Sequence, residues 1–95
     1  VNKIHKAASG LVKAGTQAKM IHLIMDDLTE DEIQIFKRGR NAKAVTRAKN
    51  ASMSEYRRAT GFEALMGWLY LSGKSDRMMD LIMLALKRFE MEEKE

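Results

Sequence analysis

Apolar residues along this chain recur at intervals of three and four, the period of a helix with one face turned inward. Ile4, Ala7, Ala8, Leu11 and Val12 make a first stripe; Ala14, Ala18, Ile21, Met25 and Leu28 make a second. Gly10 and Gly15 stand near their junction, so a break between two short helices is expected there. Thr29 with Glu32 three residues on has the form of a capping box, in which the two side chains satisfy unpaired backbone N–H groups of a first helical turn. It opens a helix with Ile33 and Phe36 inward. Residues 40–51 have no clear period and read as a loop, with at most a helical turn. Ser52 and Glu55 repeat the capping pattern and open a helix over 53–71, which Ser72-Gly73 ends, glycine being the usual residue just past a helix C-terminus. Ser75 and Asp76 can start a last helix whose inner stripe is Met78, Leu81, Ile82, Ala85 and Phe89. The charged residues 90–95 are expected to fray. No segment alternates with period two, so the expected fold class is all-α, with 1–95 a single domain or part of one.

Composition sharpens this reading. The 95 residues include no cysteine, no proline and six glycines. Few breakers suit a helical chain with short connections. The lack of cysteine removes disulfides and thiolate metal sites, and fits a reducing cytoplasm, the expected location. The longest nearly apolar run, 62–71, is too short to span a bilayer and reads as a buried core helix; no membrane association and no signal peptide are expected. The eight methionines mostly follow the helix stripes and read as core filler. The first residue is Val1 rather than methionine, which implies processing or a missing upstream part.

The formal net charge of +4 is unevenly placed. Residues 37–49 hold six basic side chains (Lys37, Arg38, Arg40, Lys43, Arg47, Lys49) and no acid, so the remainder of the chain sums to −2. A basic block on a nearly neutral body points to a polyanionic partner, although a solvated loop has the same composition.

Glu63 is the side chain that fits least well with a plain core. It lies within Gly61-Phe62-Glu63-Ala64-Leu65-Met66-Gly67-Trp68-Leu69-Tyr70-Leu71, the most apolar helix of the chain. A carboxylate in such surroundings is costly unless paired or bound to a metal. The positions where a local ion partner would sit are Ala59, Thr60, Met66 and Gly67, none of them basic. Glu63 must then reach solvent, meet a base from another helix, or bind a cation. Ala59, Thr60 and Gly67 form a small-residue strip beside it that permits close approach of a helix, water, metal or phosphate.

Other chemistries find no support. His5 and His22 have no zinc spacing and read as surface or packing residues. There is no nucleophile elbow, P-loop or G-x-G-x-x-G, so no small-molecule cofactor is expected. Asp26 and Asp27 read as a solvated helix terminus. Single-strand binders need aromatic stacking platforms, and residues 37–49 hold no aromatic. Basic residues without such platforms suit phosphate and shape readout of a duplex.

Three blocks carry a family resemblance: Arg38-Gly39-Arg40-Asn41-Ala42-Lys43, then Lys49-Asn50-Ala51-Ser52, then Tyr56-Arg57-Arg58-Ala59-Thr60-Gly61 running on through Leu71. In order and spacing this is similar to the C-terminal half of Mini-ribonuclease III, the compact ribonuclease III type without a separate duplex-RNA-binding domain. With His5 and Gln17-Ala18 the resemblance covers about 1–86. It implies a ribonuclease III-type helical domain lacking its N-terminal part. It further implies a homodimeric, Mg²⁺-dependent endoribonuclease cleaving double-stranded RNA, with a ribosomal RNA precursor as substrate. The glutamate of the F-E-A-L segment, here Glu63, is implied to be catalytic and metal-binding. Lys37, Arg38, Arg40, Asn41, Lys43, Arg47, Lys49, Asn50, Arg57 and Arg58 are the expected RNA contacts.

The chain departs from the family pattern in two ways. The family's upstream Gly-Asp pair, source of a second essential acid and much of the dimer interface, has no counterpart; no Gly-Asp occurs in these 95 residues. They are therefore expected to be inactive alone. Ala48 stands where the family usually has proline before the Lys-Asn pair, which leaves 44–48 freer. Thr60 stands where longer ribonuclease III enzymes carry an acid. The alternative is a non-catalytic duplex-RNA-binding or ribosome-associated helical module. A plain helical interaction domain would require a base buried against Glu63.

Overall fold

The computed structural model describes residues 14–42 and 52–94. They form helix α1 (Ala14–Ile24), a 3-10 turn (Met25–Asp27), and helices α2 (Glu30–Asn41), α3 (Met53–Leu71) and α4 (Ser75–Lys94). There is no strand among the described residues, and the all-α expectation holds. The first stripe with Gly10 lies outside them; Gly15 sits in the first turn of α1.

Both capping boxes form. Thr29 Oγ1 accepts the Glu32 N–H at 3.2 Å while Glu32 Oε1 accepts the Thr29 N–H at 2.8 Å. Ser52 and Glu55 do the same at 3.0 and 3.2 Å. Such a cap contributes about 1 kcal/mol to its helix. At the other end of α3, Gly73 takes φ 76°. The Lys74 N–H then reaches the Leu69 carbonyl at 2.8 Å and the Gly73 N–H reaches Tyr70 at 3.2 Å. These two bonds are the Schellman arrangement, which a residue with a Cβ would oppose.

The core is Met20, Ile21, Ile24, Leu28, Phe36, Phe62, Leu65, Leu69, Leu81 and Ala85, drawn from all four helices. Helix α3 packs against α2 and α1, and α4 lies mainly on α1. The link between α1 and α2 is held by two arginines of α4. Arg77 donates to both carboxylate oxygens of Glu32 at 2.9 Å and to the Asp27 carbonyl at 2.7 Å. Arg88 donates to the Leu23 carbonyl at 2.7 Å and to the Asp27 carboxylate. Asp27 is exposed at the end of the 3-10 turn, as the sequence suggests, and is also an ion-pair partner of Arg88.

Several sequence expectations are revised. Arg40 and Asn41 belong to α2 and not to a loop. The run 62–71 is not wholly buried, since Tyr70 is 62% and Leu71 84% exposed. Met53, Met79, Met83 and Met91 are exposed, so only part of the methionine set fills the core. Helix α4 is helical through Lys94, and Glu92 pairs with Lys19 of α1 at 2.7 Å.

Candidate active site and nucleic-acid face

Helices α2 and α3 cross at two glycines. A Cβ on Gly39 would stand 2.7 Å from the Ala64 Cβ and 2.9 Å from the Gly61 Cα. A Cβ on Gly61 would stand 2.7 Å from the Phe36 ring and from the Phe36 carbonyl oxygen. Neither fits, so these two absent side chains let the backbones touch. The crossing seats the last turn of α2, with Arg38, Arg40 and Asn41, against Thr60 and Ala64, which flank Glu63 three residues before and one after. Close helix approach therefore occurs on the Thr60–Gly61–Ala64 side of α3, not along the expected strip through Gly67.

Glu63 is exposed, and among the described residues it has no hydrogen bond or ion pair. Of the three outcomes the sequence left open for it (solvent, a base from another helix, or a cation), Glu63 takes the first and reaches solvent. An α-helix advances about 100° per residue, which sets Glu63 roughly 160° around α3 from buried Leu65. It shares the outer face with Gly67, where an added Cβ would have nothing within 4 Å. No base is buried against it among the described residues. Thr60, one turn earlier, has its hydroxyl committed to the Tyr56 carbonyl at 2.9 Å.

Mg²⁺ takes six oxygen ligands, often one or two carboxylates plus waters and phosphate oxygens. Glu63 can be one of these. The described residues contain no group of three or more His, Cys, Asp or Glu able to hold a metal ion, so they do not fit a complete site.

Lys37, Arg38, Asn41, Arg57 and Arg58 are exposed. Arg40 is half-buried, its guanidinium 5.7 Å from the Phe36 ring centre and its Nε donating to Asn41 Oδ1 at 3.2 Å. Arg58 donates to Ser54 Oγ at 3.0 Å. Lys43, Arg47, Lys49 and Asn50 lie outside the described residues. Arg57 is one turn before Gly61 and so on the α2 side of α3, whereas Arg58 lines a cleft with α1.

Among the described residues the buried acid is Glu32, only 4% exposed. The Arg77 guanidinium bound to it holds its carboxyl below the ordinary value; burial opposes this, and the Thr29 N–H assists. Arg77 is 45 positions away, so local spacing could not reveal the pair.

Residues 1–74 match the family profile described as Ribonuclease III domain. The chain is 47% identical over 90 residues to the Mini-ribonuclease 3 of Clostridium tetani, covering 95% of this chain and 60% of that one. It is 49% identical over 84 residues to that of Brevibacillus brevis, covering 88% and 63%. To that of Streptococcus pneumoniae it is 42% identical over 91 residues, covering 94% and 71%. It thus spans 60% and 63% of the length of the first two.

Proposed function

We propose, because this chain belongs to the ribonuclease III family, that it forms the C-terminal part of the catalytic domain of an endoribonuclease that cleaves double-stranded RNA. Glu63 is the catalytic, Mg²⁺-binding acid. The observation that carries this is the setting of Glu63: unpartnered among the described residues, open to solvent, and next to the unobstructed surface at Gly67.

Bound Mg²⁺ supplies polarisation of the phosphate and an activated water. Glu63 would provide one ligand oxygen, and the described residues hold no group of three or more His, Cys, Asp or Glu that would complete the site around it. The chain's own work is to hold RNA. Lys37, Arg38, Arg40 and Asn41 on α2, Arg57 and Arg58 on α3, and Lys43, Arg47, Lys49 and Asn50 between them contact backbone phosphates, giving shape-based rather than sequence-based recognition. The protein acts as a homodimer in the cytoplasm on a precursor of ribosomal RNA.

The test is incubation of the intact protein with a blunt RNA duplex, with Mg²⁺ and with EDTA. Cleavage in Mg²⁺ alone is expected. Salt-sensitive binding without cleavage would instead identify a non-catalytic duplex-RNA-binding module.

A further inference from the structure

Between α1 and the first turns of α3 lies an open cleft of about 220 Å³ lined by Gly15, Ala18, Lys19, His22, Glu55 and Arg58. Its floor is small because Gly15 brings α1 close to α3; a Cβ there would stand 3.3 Å from the Glu55 carboxylate. Three nitrogen-bearing side chains converge on it, and Lys19, His22 and Arg58 are all exposed. The cleft also holds one acid: Glu55 Oε1 accepts the Ser52 N–H at 3.2 Å, and its carboxylate charge stands against the two permanent cations, Lys19 and Arg58. Lys19 pairs with Glu92 at 2.7 Å, but both side chains are nearly half exposed, where an ion pair is weak and readily exchanged.

We infer that this cleft is a second phosphate subsite, in which Lys19, His22 and Arg58 hold a backbone phosphate of the duplex. The inference rests on the duplex-RNA reading and carries the RNA-binding face onto α1, beyond the basic residues of α2. Arg57 faces α2 and Arg58 faces α1, so the N-terminal half of α3 directs basic groups to both of its sides. Two separated cationic positions suit a duplex, whose phosphates flank a groove on two strands. Guanidinium, ammonium and imidazole N–H groups are all phosphate donors.

The test is binding of a short RNA duplex to the intact protein by fluorescence anisotropy over a salt series. Combined Lys19→Ala and His22→Ala substitution is expected to weaken binding several-fold and to lower the slope of log K against log salt by roughly 0.7–0.9 for each phosphate interaction removed. Glu92→Gln frees the Lys19 ammonium. It is expected to tighten binding more than Asp76→Asn, the same charge change at the opposite end of α4, so a gain cannot be mistaken for damage to the fold. Equal effects of those two substitutions, or an unchanged slope in the double variant while Arg38→Ala lowers it, would overturn the subsite and leave the RNA-binding reading intact. A wild-type protein that does not bind the duplex would overturn both.

Discussion

Gly39 of α2 and Gly61 of α3 lie back to back, so close that a single Cβ on Gly39 would come within 2.9 Å of the Gly61 Cα. That approach sets how the basic end of α2 meets the helix carrying Glu63. It predicts opposite outcomes for two glycines six positions apart. Gly61→Ala drives a methyl into the Phe36 ring and carbonyl and is expected to cost about 1–3 kcal/mol, the usual range for overpacking. Gly67→Ala meets open space and is expected to stabilise the helix by about 0.4–1 kcal/mol. Urea or thermal unfolding of the two variants checks this; a Gly61→Ala variant as stable as wild type would contradict a tight crossing.

Arg77→Met is expected to leave Glu32 buried without its partner. The cost should be about 2–3 kcal/mol, below the range for a sealed pair because the Arg77 side chain is 35% exposed. Unfolding midpoints at neutral pH measure it.

The same pair predicts a pH dependence. The carboxyl of Glu32 titrates below its ordinary value of 4.5. Its contribution to stability is therefore complete above that value and disappears as pH falls through the lowered one. Arg77 is held above its own ordinary range and stays charged throughout. As the pH falls below 4.5, wild type should lose stability more steeply than Glu32→Gln, and parallel curves would count against the pair.

Much of the architecture is legible in the chain. The Thr29–Glu32 and Ser52–Glu55 boxes and Gly73 are local signals, completed within six residues, and all three mark helix ends where the sequence predicts them. What the sequence hides is long-range. Nothing near Glu32 announces Arg77, and nothing in the sequence distinguishes Gly39 and Gly61, which touch, from Gly67, which touches nothing. Glu63 stands out in the sequence by its apolar neighbours. Phe62, Leu65 and Leu69 turn inward while Glu63 turns out, because α3 buries only one side. Its role then rests on its exposure and on the family, not on an electrostatic anomaly.

Arg38→Ala tests the proposed RNA face on α2 with little disturbance, since Arg38 is exposed and has no hydrogen bond among the described residues. Duplex affinity should fall and the salt slope should drop by roughly 0.7–0.9. Arg40→Ala should do this and also remove packing on Phe36, so its melting temperature should fall where that of Arg38→Ala does not.

The most direct measurement is of Glu63→Gln in the intact protein, with cleavage rate determined in Mg²⁺ and duplex affinity in Ca²⁺ on the same RNA. Loss of a metal-binding carboxylate removes several kcal/mol of transition-state stabilisation, so cleavage should slow by about 100-fold or more. Affinity measured in Ca²⁺ should be retained and the melting temperature unchanged, because Glu63 has no partner among the described residues. Cleavage at the wild-type rate would contradict the assignment of Glu63 as the catalytic acid.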